Sequence, residues 1–233
     1  MSASAQSRPF SMRDYRRFAR VAQACLRPVA EQMGYAPANS ASFARQHPAG
    51  WHEIFWLHTR CSDSEDFSVC YGIAVTDLYF GQPPLALHEA PVVLHETLRN
   101  AAGGQAFGRA NRVQVGASAQ AIARLYPKQA RPWLDHFTSW HDIATAFARK
   151  HYKWLDATQL GRYTAFSPMQ ATYALLLIRA GQPEVARHWL EESRRLLEAN
   201  EHRDDWEAKF LQSITLALKE LARAFAPPKT TNH

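Results

Sequence analysis

Residues 67–75, Phe-Ser-Val-Cys-Tyr-Gly-Ile-Ala-Val, alternate almost without fault between two classes of side chain. Phe67, Val69, Tyr71, Ile73 and Val75 fall on one side of an extended chain, and Ser68, Cys70, Gly72 and Ala74 on the other. Successive side chains of a strand point to opposite faces, so this period of two commits the segment to a sheet with one bulky and one small face. Residues 51–60 obey the same rule, with Trp51, Phe55 and Leu57 on one side and His52, Ile54, Trp56 and His58 on the other. The polar link Cys-Ser-Asp-Ser-Glu-Asp between the two segments makes an antiparallel hairpin the natural connection. A further short strand is expected around Phe43, over 41–46.

Helical spacing flanks these strands. Ser11 and Asp14 have the form of a capping box, and Tyr15, Phe18, Ala19, Ala22, Leu26, Val29 and Met33 then recur on one helical stripe. Pro28 predicts a kink or break near Arg27, and Gly34 a stop. Residues 79–91, with Gly81, Pro83, Pro84 and Pro91, read as loop; Pro91 would open a short helix running to Asn100. Arg112 to Val115 has the look of a fourth strand, and Pro127 and Pro132 are expected to bracket short helical pieces. From residue 139 onward the pattern is helical. Ser139 and Asp142 form a second box, with Ile143, Phe147 and Trp154 toward the core, and Ser167-Pro168-Met169-Gln170 opens a helix that stops at Gly181. Pro183 restarts a helix carrying Val185, Trp189, Leu190, Leu196 and Leu197, and the last stripe is Trp206, Phe210, Ile214, Leu221 and Phe225.

The fold expected is therefore α+β: an N-terminal helix, an antiparallel sheet of three to four strands, and C-terminal helical hairpins. Residues 11–226 are expected to form a single α+β domain, with a sheet lobe over about 11–116 and a helical lobe over about 117–226; 1–10 and 227–233 are expected to be disordered tails. With 46% apolar and 21% charged residues, the body of the chain can bury a core, which excludes intrinsic disorder. No stretch approaches the roughly 18 apolar residues of a membrane span, and no secretory leader is visible. The three cysteines, Cys25, Cys61 and Cys70, are sparse, odd in number and without metal-ligand spacing, which points to free thiols and a cytoplasmic location.

Ala171 to Arg195, with Leu176, Gly181, Ala186 and Leu190, resembles one tetratricopeptide-type helical hairpin; a single copy implies two packed helices and not a solenoid. Gly34-Tyr35, Phe43-Ala44-Arg45, Ile54-Phe55-Trp56, Phe67-Ser68-Val69, Trp133-Leu134 and the Gly181/Ala186 hairpin resemble, over about residues 20–195, a bacterial family of domains of unknown function. That resemblance implies the order helix, strands, helices, and a bacterial source; it implies no activity.

Catalytic and metal signatures are missing from the sequence. His88-Glu89 and His95-Glu96 do not complete H-E-x-x-H, because the position after the second pair that would carry the other imidazole is Arg99. There is no G-x-S-x-G elbow, and residues 103–112, with three glycines and two arginines, lack the lysine of a phosphate loop and read as a hairpin loop. No cofactor or metal is expected, and catalysis is not the favoured reading. Two candidate binding features remain. Arg13, Arg16, Arg17 and Arg20 form a cationic stripe on the first helix that would attract acidic protein or phosphates. His52, Trp56 and His58 share a strand face; if the small face of the neighbouring strand lies on the same side, it leaves a concave floor, unless helices cover it, the commoner arrangement.

The net charge of +6 agrees with an acidic partner, although 21 Arg against 6 Lys also reflects a GC-rich coding style. The function expected first is a non-catalytic, immunity-type or adaptor protein that engages another protein. An enzyme or small-ligand binder using His52, Trp56 and His58 comes second, and nucleic-acid binding through the first helix third.

Overall fold

The computed structural model describes residues 15–39, 41–58, 66–108, 112–155, 168–201 and 204–224. Outside them lie both expected tails, the Ser11/Asp14 box, Arg13, Cys61, most of the 61–66 link and Ser167; the side chains of Trp154 and Trp206 and the whole of Phe225 are likewise outside the described set. The chain is α+β, and its residues group into two compact units. One comprises the chain up to Thr76 with Ala86–Phe137; the other comprises Asp77–Leu85 with the chain from Thr138 onward. The boundary expected near residue 117 falls at 137/138, because the long helix after the sheet belongs with the sheet.

In the first unit, helix α1 spans Tyr15–Gln32, followed by strands β1 Ala36–Asn39, β2 Ser42–Gln46, β3 His52–His58, β4 Asp66–Ala74, β5 Val92–Thr97 and β6 Phe107–Gly108, and helix α2 Arg112–Asp135. Among the described residues the antiparallel sheet has six strands, in the order β1-β2-β3-β4-β5, with β6 paired to the start of β4. That is more than the three or four expected: β1 was hidden by Pro37, which an edge strand tolerates because one row of its amides needs no partner.

Four expectations fail here, three of them at prolines. Helix α1 runs through Pro28 without a break, burying Ala22, Leu26 and Ala30. Helix α2 runs through Pro127 and Pro132 and takes in Arg112 to Val115, so neither the fourth strand nor the short helical pieces exist. All three prolines are exposed, so the carbonyl each leaves without an amide partner faces water, and the helices keep their buried stripes. In α2 that stripe is Val115, Ala119, Ile122, Tyr126, Ala130 and Leu134. Pro91, in turn, opens no helix; Val92 to Thr97 is a strand, and the Val75 N–H donates to the Pro91 carbonyl at 3.2 Å.

Gly34 ends α1 as expected. Its φ of +81° lets the Tyr35 N–H donate to the Ala30 carbonyl at 2.9 Å, and this turn delivers the Tyr35 ring to the sheet.

The second unit holds α3 Trp140–Leu155, α4 Pro168–Arg179, α5 Pro183–Ala199 and α6 Asp205–Ala224. The Ser139/Asp142 box forms: Asp142 accepts from the Ser139 N–H and hydroxyl, both at 2.9 Å, while its own N–H donates to Ser139 Oγ at 3.2 Å. Those bonds, with others from Thr138, hold its carboxyl below the usual range. Helices α4 and α5 form the expected hairpin around Gly181, φ +72°, with Leu176, Ala186 and Leu190 fully buried. Val185, expected inward, is exposed. No helix among the described residues is long and apolar enough to cross a membrane.

Candidate binding face

Register decides which side chains meet. Trp56 stands opposite Ser42 and Cys70, and Cys70 opposite Thr97; Ile54 stands opposite Ala44 and Gly72, and Gly72 opposite His95. His52 stands opposite Gln46 and Ala74, and His58 opposite Ser68. Directly opposed residues share a face, so the small side chains of β4 do lie beside Trp56. The two faces are covered differently. On the bulky side, Tyr35 meets Phe55 edge-on at 5.8 Å, and Tyr126 and Trp133 of α2 lie 6.0 Å from Phe55 and 5.5 Å from Tyr71. On the small side the cover within this unit is irregular chain and not helix. Ala90 packs with Ala44, Ile54 and Ala74, and Ala38, Trp56 and Leu87 close around them.

This cover stops short of the Trp56 end. There a cavity of about 220 Å³ is lined by Ile54, Trp56, Leu57, Leu87, Ala90 and Val92, with Asn39, Ala41, Ser42 and His88 completing the wall. Trp56 is half-buried, its ring edge-on to His95 at 6.0 Å. Of the three residues expected at this site, only Trp56 lines the cavity. His52 is half-buried and His58 exposed, and six residues of strand put them about 20 Å apart, so the two imidazoles cannot act on one group. Leu87 and His88 were not anticipated, because the irregular segment that supplies them has no periodicity to read.

The bulky face holds a charged cluster that the sequence reading passed over. Glu53 is 1% exposed, and its Oε2 accepts from Tyr35 Oη at 2.9 Å, Arg45 Nη2 at 2.6 Å and Arg131 Nη1 at 2.9 Å. Arg131 Nη2 reaches Glu53 Oε1 at 3.2 Å, and Arg131 also pairs with Asp135 through Nε at 2.6 Å. Burial pushes the Glu53 carboxyl up and the Tyr35 hydroxyl opposes that shift; the two guanidiniums supply the countercharge that a buried carboxylate requires. Tyr35 and Tyr126 are in hydroxyl contact, and burial drives both phenols well above their ordinary range, so both keep their protons. Tyr35 has one proton and gives it to Glu53, so Tyr126 is the donor to Tyr35. The cluster ties α2, β2, β3 and the turn after α1 together.

The remaining candidates are soon placed. Arg16 and Arg17 lie within α1, though only Arg20 of the stripe has a described side chain, and it is exposed. His88 Nε2 is 3.8 Å from Glu89 Oε1 with both side chains more than half exposed; His95 and Glu96 sit on a strand and so point to opposite faces. No group of three or more His, Cys, Asp or Glu among the described residues could hold a metal ion. The 103–112 loop is no phosphate cradle at its start: the Ala102 and Gly104 amides both donate to Asn100 Oδ1 at 3.0 Å. Cys25 is half-buried and Cys70 buried, with Cys70 Sγ 3.6 Å from Thr97 Oγ1, and neither is in a disulfide.

Comparison with known proteins adds no relative: no family model, no curated protein and no solved structure matches this chain.

Proposed function

We propose that this chain is a non-catalytic binding protein that engages an acidic partner protein through the Trp56 end of the small-residue face, taking one apolar side chain of the partner into the cavity. The observation that supports this reading is the cavity itself. At about 220 Å³ it is smaller than the roughly 300–1,000 Å³ of small-molecule sites, and it suits one inserted side chain. Its wall is an indole, four aliphatic side chains and two alanines, with polar atoms at Asn39, Ser42 and His88 to pair with a partner's backbone. Among these residues His88 alone is titratable, whereas acid–base or nucleophilic catalysis needs at least two convergent groups. An aromatic anchor beside a small hollow is the arrangement in which binding energy concentrates. The net charge of +6 favours an acidic partner, and such a role suits an immunity-type or an adaptor protein equally.

A photo-crosslinking residue introduced at position 88, and separately at the exposed Lys128 of α2, tests this in cells of the source organism. One acidic protein should be captured from position 88 and not from 128, and Trp56→Ala should cut the yield about tenfold, as loss of an anchor does. Identical adducts from both positions, or capture indifferent to Trp56→Ala, would refute the site.

A further inference from the structure

Two of the polar side chains lining the Trp56 cavity, Asn39 and Ser42, sit at the turn between β1 and β2, and the bonds already made there decide what each can offer. The Ala41 N–H donates to the Asn39 side chain at 2.8 Å, which makes the accepting atom Oδ1 and leaves Nδ2, a donor, as the other end of the amide. The Asn39 carbonyl is engaged as well, by Gln23 Nε2 at 3.0 Å. Asn39 therefore has its acceptors turned to the chain and brings a donor to the cavity wall.

Ser42 is placed by register. The Leu57 N–H donates to the Ala41 carbonyl at 2.9 Å, so 41 and 57 form a hydrogen-bonded pair, and the adjacent pair, Ser42 with Trp56, exchanges no backbone hydrogen bonds. Side chains of such a pair stand closest together, which sets the Ser42 hydroxyl beside the indole. His88 is the third polar wall residue, with its Nε2 3.8 Å from Glu89 Oε1. No acidic side chain belongs to the wall. An apolar hollow with donors at its side is complemented by an apolar group that carries an acceptor close by, best an anionic one. The net charge of +6 adds the same preference.

Size fixes how close that acceptor has to be. A hollow of about 220 Å³ takes one side chain, and Ser42 lies directly beside the ring on which that side chain rests. The acceptor then belongs to the inserted residue itself. An internal residue has only a carbonyl there, which leads straight into the next residue. A C-terminal residue presents two carboxylate oxygens on its own Cα and carries its chain away in one direction only. The geometry points to the C-terminal residue of the partner protein as the occupant. Its apolar side chain fills the hollow, and its carboxylate accepts from Asn39 Nδ2 and the Ser42 hydroxyl, a mode by which chain ends are captured elsewhere. This names the occupant of the cavity proposed above and rests on that reading.

NMR titration of the full chain tests the two separately. N-acetyltryptophan and N-acetyltryptophanamide share a side chain and differ only in the carboxylate. The acid should bind about tenfold more tightly than the amide, the gain expected of charge-assisted hydrogen bonds. Asn39→Asp keeps the oxygen to which Ala41 donates and replaces the donor by an anion. It should erase the acid's advantage and leave the amide's affinity unchanged. Ser42→Ala spares the backbone pairing and should cut that advantage to about threefold. A short glycine-serine peptide ending in tryptophan with a free carboxylate should match N-acetyltryptophan, and the same peptide amidated should not. Equal affinity of acid and amide, an advantage that survives Asn39→Asp, or a peptide that fails where N-acetyltryptophan binds would overturn the C-terminal occupant and leave the cavity as a side-chain site. Failure of acid and amide alike to bind beside Trp56 would defeat the cavity reading, and this one with it.

Discussion

Replacing Glu53 by alanine is expected to remove about 3–5 kcal/mol of stability, the loss typical of breaking a buried ion pair from one side. The carboxylate is 1% exposed and is the common acceptor for Tyr35, Arg45 and Arg131. Without it, the guanidiniums face each other across a gap, and the Tyr35 hydroxyl loses its acceptor while Tyr126 still donates to it. Against a total of roughly 5–15 kcal/mol for a folded domain, that loss brings the sheet unit close to unfolding. Glu53→Gln should cost less, because an amide oxygen still accepts the Tyr35 proton. Urea unfolding provides the check: the midpoint should fall with little change in slope. A loss below about 1 kcal/mol, the size found for solvated surface pairs, would mean that the cluster is not buried as described.

Gly72→Ala carries the second large effect, for a purely steric reason. A Cβ at this position would lie 2.2 Å from the Leu94 carbonyl oxygen and 3.0 Å from both Cα and Cβ of His95. Those are mainly backbone atoms of the neighbouring strand, so no rotamer change can relieve the contact, and β4 and β5 must separate. The expected loss is about 3 kcal/mol, the upper end of what overpacking costs. Gly116 of α2 is the control, since a Cβ there meets nothing within 4 Å; Gly116→Ala should stabilise the chain by about 0.5–1 kcal/mol through helix propensity. Thermal melts that rank the two substitutions in the opposite order would contradict the strand packing.

The same two positions show how much could be read before any coordinates. The alternation in 51–75 was enough to group Gly72 with Cys70 and Ala74 on one face; that this face lies on the Trp56 side follows from the register, which a one-residue slip would reverse. Glu53 lay in the same alternation, between Trp51 and Phe55 on the bulky side, and a lone acid at a core-facing position is the mark of a buried pair. Its partners, Tyr35, Arg45 and Arg131, come from three separate segments, and no local spacing joins them. Pro28, Pro91, Pro127 and Pro132 misled as boundaries, whereas Pro168 and Pro183 open α4 and α5 as expected. Pro28, Pro127 and Pro132 sit on the wet sides of their helices, where the missing hydrogen bond is replaced by water, and Pro91 precedes a strand whose β-branched start, Val92-Val93, was the better guide. The cavity was half legible. Trp56 and the small floor followed from pattern, while Leu87, His88 and Ala90 reach it through an irregular path that only tertiary packing defines.

The central claim, that the hollow beside Trp56 accepts a single apolar side chain, is tested most directly by NMR titration with N-acetyltryptophanamide. An isolated side chain should bind only in the millimolar range, about 4 kcal/mol, yet saturably. Backbone amide shifts should concentrate at Ser42, Leu87, His88 and Ala90 together with the Trp56 indole N–H, and they should vanish in Trp56→Ala. Shifts that fail to saturate, or that are largest around Arg20 on α1, would contradict it.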